Sequence, residues 1–510
     1  MRRTTAAASV VTVLVPLILA GAATASAATT GSLTVRTLDR AGKPVYAQVA
    51  VYNTKTSDFR YIDSNKAVSL PDGSYELATS FVDGGDEAGT VGGHSVKVSG
   101  ATKTTFDARQ GHPVKVSLSP SPGSGYDHTV SAYVCTTDNS PAQMGISTDA
   151  GQLYVIPSSN KAYELSYATV YQPQAQTGGS FWLASATHRG GVPSGVSATL
   201  KQAGLTTLKV SARSGPDSGQ ARFSFDNQST GDDDCAMSTN TLQFERQLPG
   251  SFAVHLPAGQ WQVGQQAHDF VYDGFHNYGA GRTTSLTVGR AVWGPGGRLP
   301  YTWYHQLYFP SVNLFADSTL PDGGELASGS VKLTHAGKTL YSRSYGTGDD
   351  VDAHPRIPSA GWYTLTETGH RSLPSGSLST SSSLALRFYA DPAKNQQVRD
   401  YITRFSPAPL NGRNQVAAGS ATTVTLGMQR TGTGDGTVGR LSDAVKSVRA
   451  WYTTDGGAHW HAVTAKLSAG KWTTTVHNPA AAGRVGLRST VTDTHGDTAT
   501  TTVYNAYAVN

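Results

Sequence analysis

Apolar and polar residues alternate along most of this chain. Leu33, Val35 and Leu38 precede the turn Asp39-Arg40-Ala41-Gly42-Lys43-Pro44, and Val45, Ala47, Val49 and Val51 follow it in strict alternation. A period of two sends successive side chains to opposite faces, so the stretch reads as a half-buried hairpin. Further strands are predicted at Thr129 to Val134, Gln152 to Ile156, Ala162 to Val170, Thr207 to Ala212, Ala221 to Phe225 and Ser251 to Leu256. Near the end, Val448, Ala450 and Tyr452 alternate, as do Val485 and Leu487 before Val491. No helical stripe of useful length interrupts them.

A cassette recurs four times: Leu70-Pro71-Asp72-Gly73-Ser74-Tyr75, Leu256-Pro257-Ala258-Gly259-Gln260-Trp261, Ile357-Pro358-Ser359-Ala360-Gly361-Trp362-Tyr363 and Leu467-Ser468-Ala469-Gly470-Lys471-Trp472. An apolar residue closes one strand, small residues turn the chain, and a ring just past the Gly opens the next strand. The copies lie too far apart for a solenoid, whose repeats run to about 50 residues at most. They predict one hairpin per β-sandwich. The expected fold is all-β, with several tandem sandwiches.

Composition agrees with that pattern. Only 15% of the residues are charged and Gly is abundant at 56, which suits turn-rich sandwiches better than helical bundles. The formal surplus of +5 includes Arg2 and Arg3, so the remainder is nearly balanced and no nucleic-acid partner is implied. Residues 1–27 have the plan of a signal peptide: an Arg pair, an apolar run from Val10 to Ala20, and Ala25-Ser26-Ala27 as a cleavage site. No later apolar run is long enough for a membrane span. A secreted, extracellular protein is expected, and Cys135 and Cys235, the two cysteines of the chain, then read as one disulfide. Closing such a loop contributes about 4 to 5 kcal/mol in the chain-entropy model.

The expected organisation after the signal peptide is a β-sandwich over 28–119, the linker Ser119-Pro120-Ser121-Pro122-Gly123-Ser124-Gly125, and a β domain with the disulfide over 126–290. A β-sandwich over 291–400 and another over 401–510 complete it, with a short helix or a loop around Lys394 to Asp400. The first segment resembles the carboxypeptidase regulatory-like domain, a prealbumin-like sandwich. The last resembles an immunoglobulin or fibronectin-type one. In order along the chain, Phe106-Asp107-Ala108-Arg109-Gln110-Gly111-His112-Pro113, Ala291-Val292-Trp293-Gly294-Pro295, Leu314-Phe315-Ala316-Asp317-Ser318, Arg404-Phe405-Ser406-Pro407 and Asp493-Thr494-His495-Gly496-Asp497 are similar to one source. They resemble the non-catalytic region that follows the protease domain in large secreted subtilisin-like serine peptidases.

The catalytic motifs of that family are absent. Asp217-Ser218-Gly219 matches its aspartate motif superficially, but His94 lies in Gly92-Gly93-His94-Ser95 and no Gly-Thr-Ser precedes a Met. The two-His zinc helix and the Gly-x-Ser-x-Gly elbow are likewise missing. Acidic groups at Asp83, Asp86 and Glu87, at Asp232 to Asp234, and at Asp349, Asp350 and Asp352 are calcium candidates, the last set preferred because Gly346 and Gly348 free the backbone there. No EF-hand spacing accompanies them, so no cofactor is expected beyond a possible Ca²⁺. Thr453-Thr454-Asp455-Gly456-Gly457-Ala458-His459-Trp460 is similar to the Asp box of sialidase-like propellers, present once and read as a structural hairpin.

Trp303, Tyr304 and Tyr308, with His305 among them and Tyr272, Phe275, His276 and Tyr278 behind, form the candidate ligand platform. Strand alternation is expected to send Trp303 and Tyr304 to opposite faces. The function expected is a secreted, non-catalytic binding or accessory module contacting an extracellular protein or polysaccharide. The alternative is a divergent secreted hydrolase, most plausibly a peptidase, with its site in loops of the middle segments.

Overall fold

The computed structural model describes residues 29–83, 88–137, 140–175, 177–216, 219–228, 235, 240–267, 271–296, 300–309, 313–317, 328–346, 353–374, 376–398, 401–429 and 445–510. The leader-like segment and Asp217-Ser218 lie outside them. The described chain is all-β, built as tandem packed sheets. No helix among the described residues is long and apolar enough to cross a membrane.

The first packed pair sets a three-stranded sheet (Ala67–Pro71, Thr30–Leu38, Ala101–Asp107) against a seven-stranded one. Leu33, Val35, Val49, Val51, Leu77 and Phe106 fill the space between, so the alternating residues read from sequence do face inward. The seven-stranded sheet continues past residue 119. Leu153–Ile156 lies between Gly89–Val98 and His112–Ser119, and Val196–Lys201 runs parallel to His112–Ser119 at the edge. The second pair sets another seven-stranded sheet, centred on Tyr163–Pro173 and Ser180–Arg189, against four strands from Thr241–Gln247 to Val271–Tyr278. Both faces of Tyr163–Pro173 are covered: Leu165 packs toward Val114 and Val155, whereas Ala168 joins the core with Phe181, Phe223 and Trp261.

A nine-stranded sheet joins the third and fourth segments. Ser381–Ala390 pairs with Thr498–Val509 from Ser381↔Tyr504 to Arg387↔Thr498, so strands from either side of residue 400 share one sheet. Around Lys394 the chain is neither helix nor plain loop. After a turn, the two-residue strand Gln396–Gln397 pairs with Tyr301–Trp303. Cys135 and Cys235 form the expected disulfide, Cα atoms 5.6 Å apart, tying the segment before Thr241–Gln247 to Tyr126–Thr136.

The cassette differs from its expected form. In the first two copies the flanking strands lie in different sheets: Ala67–Pro71 and Gly73–Val82 belong to the two layers of the first pair, Gly250–Leu256 and Gly259–Gln266 to the two layers of the second. In the third, Arg356 bridges Gln306 of a small three-stranded sheet whereas Gly361–His370 lies in a nine-stranded one, so in three copies the motif is a corner between sheets. Its ring reaches back four residues to the carbonyl of the turn: Tyr75 Oη donates to Pro71 O at 2.7 Å, Trp261 Nε1 to Pro257 O at 3.0 Å, and Tyr363 Oη to Ser359 O at 2.6 Å. An aromatic body fills the core while its polar tip satisfies a carbonyl that no sheet can reach. Only the fourth copy is a hairpin, with Ser468 opposite Lys471 and Trp472 half-buried.

Two outcomes follow for stability. Tyr75→Phe leaves the Pro71 carbonyl without its donor and should lower unfolding free energy by about 1 to 2 kcal/mol in urea titrations. The second concerns acid. Burial depresses the pKa of His94, His128, His255 and His276 below the ordinary 6.5. Below that value the unfolded chain binds more protons than the folded one, so their contribution is complete above about pH 7 and is lost as pH falls. The urea midpoint should drop from pH 7.5 to 5.5, and His94→Gln should shrink that drop.

Candidate functional site

Tyr301–Trp303 and Gln306–Tyr308 form a tight hairpin whose two-residue turn is Tyr304 and His305, with φ of 46° and 64°. This left-handed pair matches the twist of the strands, but Asn-Gly normally occupies it because residues with larger side chains are strained there. Alternation places Thr302 and Leu307 inward and Tyr301, Trp303 and Tyr308 outward. The turn interrupts the alternation at Tyr304. Trp303 and Tyr304 therefore do not part to opposite faces: their ring centroids are 4.9 Å apart, and they are 44% and 72% exposed.

Rings continue across this surface. Tyr301 stacks on Tyr308 at 5.1 Å with planes 9° apart, Trp303 lies 5.9 Å from Tyr308, and His354 lies 4.1 Å beyond Tyr308. The hairpin is gripped from both flanks. Thr302 Oγ1 donates to Lys394 O at 2.9 Å and accepts from Gln396 N–H, and Tyr304 N–H donates to Asn395 Oδ1 at 3.2 Å. On the other side Leu307 N–H donates to Pro355 O at 2.9 Å, and Ile357 N–H to His305 O at 2.8 Å. Leu307 and Phe309 anchor it in the main core. The arrangement is a firmly seated strip of exposed rings bordered by the amides of Gln306 and Asn395.

The residues expected behind the platform lie on a strand of a different sheet from the hairpin. Phe275, His276 and Tyr278 lie on Val271–Tyr278, in the four-stranded sheet of the second pair, where His276 stacks on Tyr278 at 5.8 Å. A separate cleft of about 360 Å³ is lined by Thr129, Ser131, Tyr133, Ser147, Gln172 and Gln243 among others. Its lining holds hydroxyls and amides but no carboxylate pair, so glycoside hydrolysis by two acids has no support there.

Asp349, Asp350 and Asp352 lie outside the described residues, as do Asp86, Glu87 and Asp232 to Asp234. Asp83 is buried, with its carboxylate 3.1 Å from Arg40 Nε. Among the described residues no group of three His, Cys, Asp or Glu side chains is placed to hold a metal ion. In the Asp-box segment Asp455 accepts from the His459 N–H and the Thr453 hydroxyl and lies 2.6 Å from His459 Nδ1. These bonds hold its carboxyl well below the usual carboxylate range. Trp460 packs edge-on to Tyr504 under the Arg488 guanidinium. The segment is a fastened loop.

No protein-family model matches the chain, and no curated protein does. Among solved structures, a leucine-rich repeat protein from Bacteroides thetaiotaomicron is 13% identical with a TM-score of 0.12, over 34% of this chain and 26% of its own. An Escherichia coli alpha-2-macroglobulin activated by porcine elastase is 8% identical with a TM-score of 0.15, over 94% of this chain and 53% of its own. The chain thus spans about a quarter and about half of those two proteins. Scores this low support neither a fold nor a function for it.

The turn offers a direct check on how the rings are held. Replacing Tyr304 and His305 by Asn-Gly removes the tip ring and relieves two left-handed side-chain residues, so stability should rise by about 1 kcal/mol. Thermal melts of the double variant read this out.

Proposed function

We propose that this chain is a secreted, multi-domain binding or accessory module that holds an extracellular polysaccharide against the aromatic hairpin. The carrying observation is the strip formed by exposed Tyr301, Trp303 and Tyr304 with half-buried Tyr308, Tyr304 being kept in a turn that strains it. Backbone strain maintained at an exposed ring points to a role outside folding. Flat rings cover the apolar faces of sugars, and the bordering amides match their hydroxyls. The leader-like residues 1–27 and the disulfide support export. The ordered phrases that resemble the accessory region of secreted subtilisin-like peptidases support an accessory role.

Purified mature protein should be retained on insoluble polysaccharides and not on denatured protein, and it should leave casein uncut. Trp303→Ala and Tyr308→Ala should each weaken retention at least tenfold, about 1.4 kcal/mol. Retention on denatured protein alone, or retention indifferent to both substitutions, would overturn the proposal.

A further inference from the structure

His335 ends the strand Ser328–His335 and meets the third corner from the side. Its Nδ1 lies 3.0 Å from the carbonyl oxygen of Trp362, and its Nε2 lies 3.1 Å from Ser359 Oγ. A carbonyl only accepts, so Nδ1 must carry the proton of the neutral ring. The bare lone pair of Nε2 then faces Ser359, whose hydroxyl has two acceptors in reach, this nitrogen and the Tyr363 oxygen. Nucleophile, base and orienting acceptor stand in the order that activates a serine.

The surroundings hold this geometry. The His335 ring stacks on buried Tyr363 at 4.3 Å with planes 16° apart. A Cβ at Gly361 would sit 2.7 Å from His335 Cε1, so the ring can occupy this place only beside glycine. Tyr363 Oη pins the Ser359 carbonyl. Among the described residues the backbone N–H groups of Ser359 and Ala360 make no hydrogen bond, which leaves donors at the nucleophile and at the residue after it.

We propose that Ser359 is a catalytic nucleophile that, with His335 as base, hydrolyses carboxylic esters borne by the polymer held at the aromatic hairpin. The polymeric nature of the substrate rests on the preceding reading; the nucleophile does not. Ile357, whose N–H bonds the hairpin turn at His305, is two residues from Ser359, at most about 7 Å along the chain. Ser359 Oγ attacks the ester carbonyl carbon as its proton passes to His335 Nε2. The tetrahedral oxyanion collapses, the C–O bond to the alcohol breaks, and His335 returns the proton to the departing alkoxide. Water, deprotonated by the same nitrogen, then attacks the acyl carbon; the bond from that carbon to Ser359 Oγ breaks, His335 returns the proton to Oγ, and the carboxylic acid leaves. One ester and one water give one acid and one alcohol. A neutral carbonyl orients imidazole but steadies imidazolium less than a carboxylate would, so the pair suits esters and not amides. This departs from the non-catalytic expectation while keeping casein intact.

The test uses the mature protein with a fluorophosphonate probe, 4-nitrophenyl acetate and acetylated xylan. The probe should label a peptide containing Ser359, and acetate should be released from both esters. Ser359→Ala should abolish labelling and cut 4-nitrophenyl acetate turnover at least tenfold, and His335→Gln should do likewise. Far-ultraviolet circular dichroism and thermal melts confirm that both variants fold. Absent labelling, labelling at another residue, or equal turnover by folded Ser359→Ala would overturn the proposal. A protein that labels at Ser359 yet binds no polysaccharide would refute the hairpin reading and leave the nucleophile standing.

Discussion

A ring reaching back four residues to a turn carbonyl is the contact on which this architecture depends. Where a chain leaves one sheet for the layer facing it, the ladder ends and a carbonyl is stranded at the edge of the core. Tyr75, Trp261 and Tyr363 each supply the missing donor from a side chain that also fills the core beneath. Burial of the ring and satisfaction of the carbonyl are then a single event, so each corner is sharp and fixed in angle. At the third corner this fixity reaches the surface: the bond that clamps Ser359 also seats Tyr363 under His335, and the segment leading into it carries one flank of the aromatic hairpin.

Between corners, polar side chains buried at junctions weld the segments. Asn414 donates to the carbonyls of Ser214 and Gly289 and accepts from Ala291 N–H, joining three distant stretches at a fully buried point. Arg404 does the same with four carbonyls, those of Gly294, Pro295, Ala316 and Asp317. A guanidinium carries several donors in a fixed fork, so this one buried side chain serves backbone oxygens from two strands at once. Hydrogen-bonded sheets also run across residues 119 and 400, so the segments share strands as well as contacts.

The exposed chemistry is carried by this rigid frame. The hairpin of rings is held by backbone bonds on both flanks, and Ser359 lies just past one of them. Rigidity matters because stacking on a polymer and aligning a hydroxyl with an imidazole both fail when the parts wander by an ångström.

Period-two alternation by itself marked several of the strands and which of their side chains face inward. Val49 and Val51 are buried as their spacing requires, and Thr206–Ala212 and Gly250–Leu256 lie within a residue of where the pattern put them. The cassette marked the positions of the buried rings, and the two cysteines of the chain marked the disulfide. Which strands pair was decided only in three dimensions, because alternation is local whereas a ladder joins residues of any separation. Hence the cassette looked like a hairpin and is mostly a corner, and Trp303 and Tyr304 looked opposed until a turn placed them side by side. His335 and Ser359 are 24 residues apart, with no motif to link them. Only the packing of one strand end against one corner brings base to hydroxyl, and only the Trp362 carbonyl fixes which nitrogen is bare.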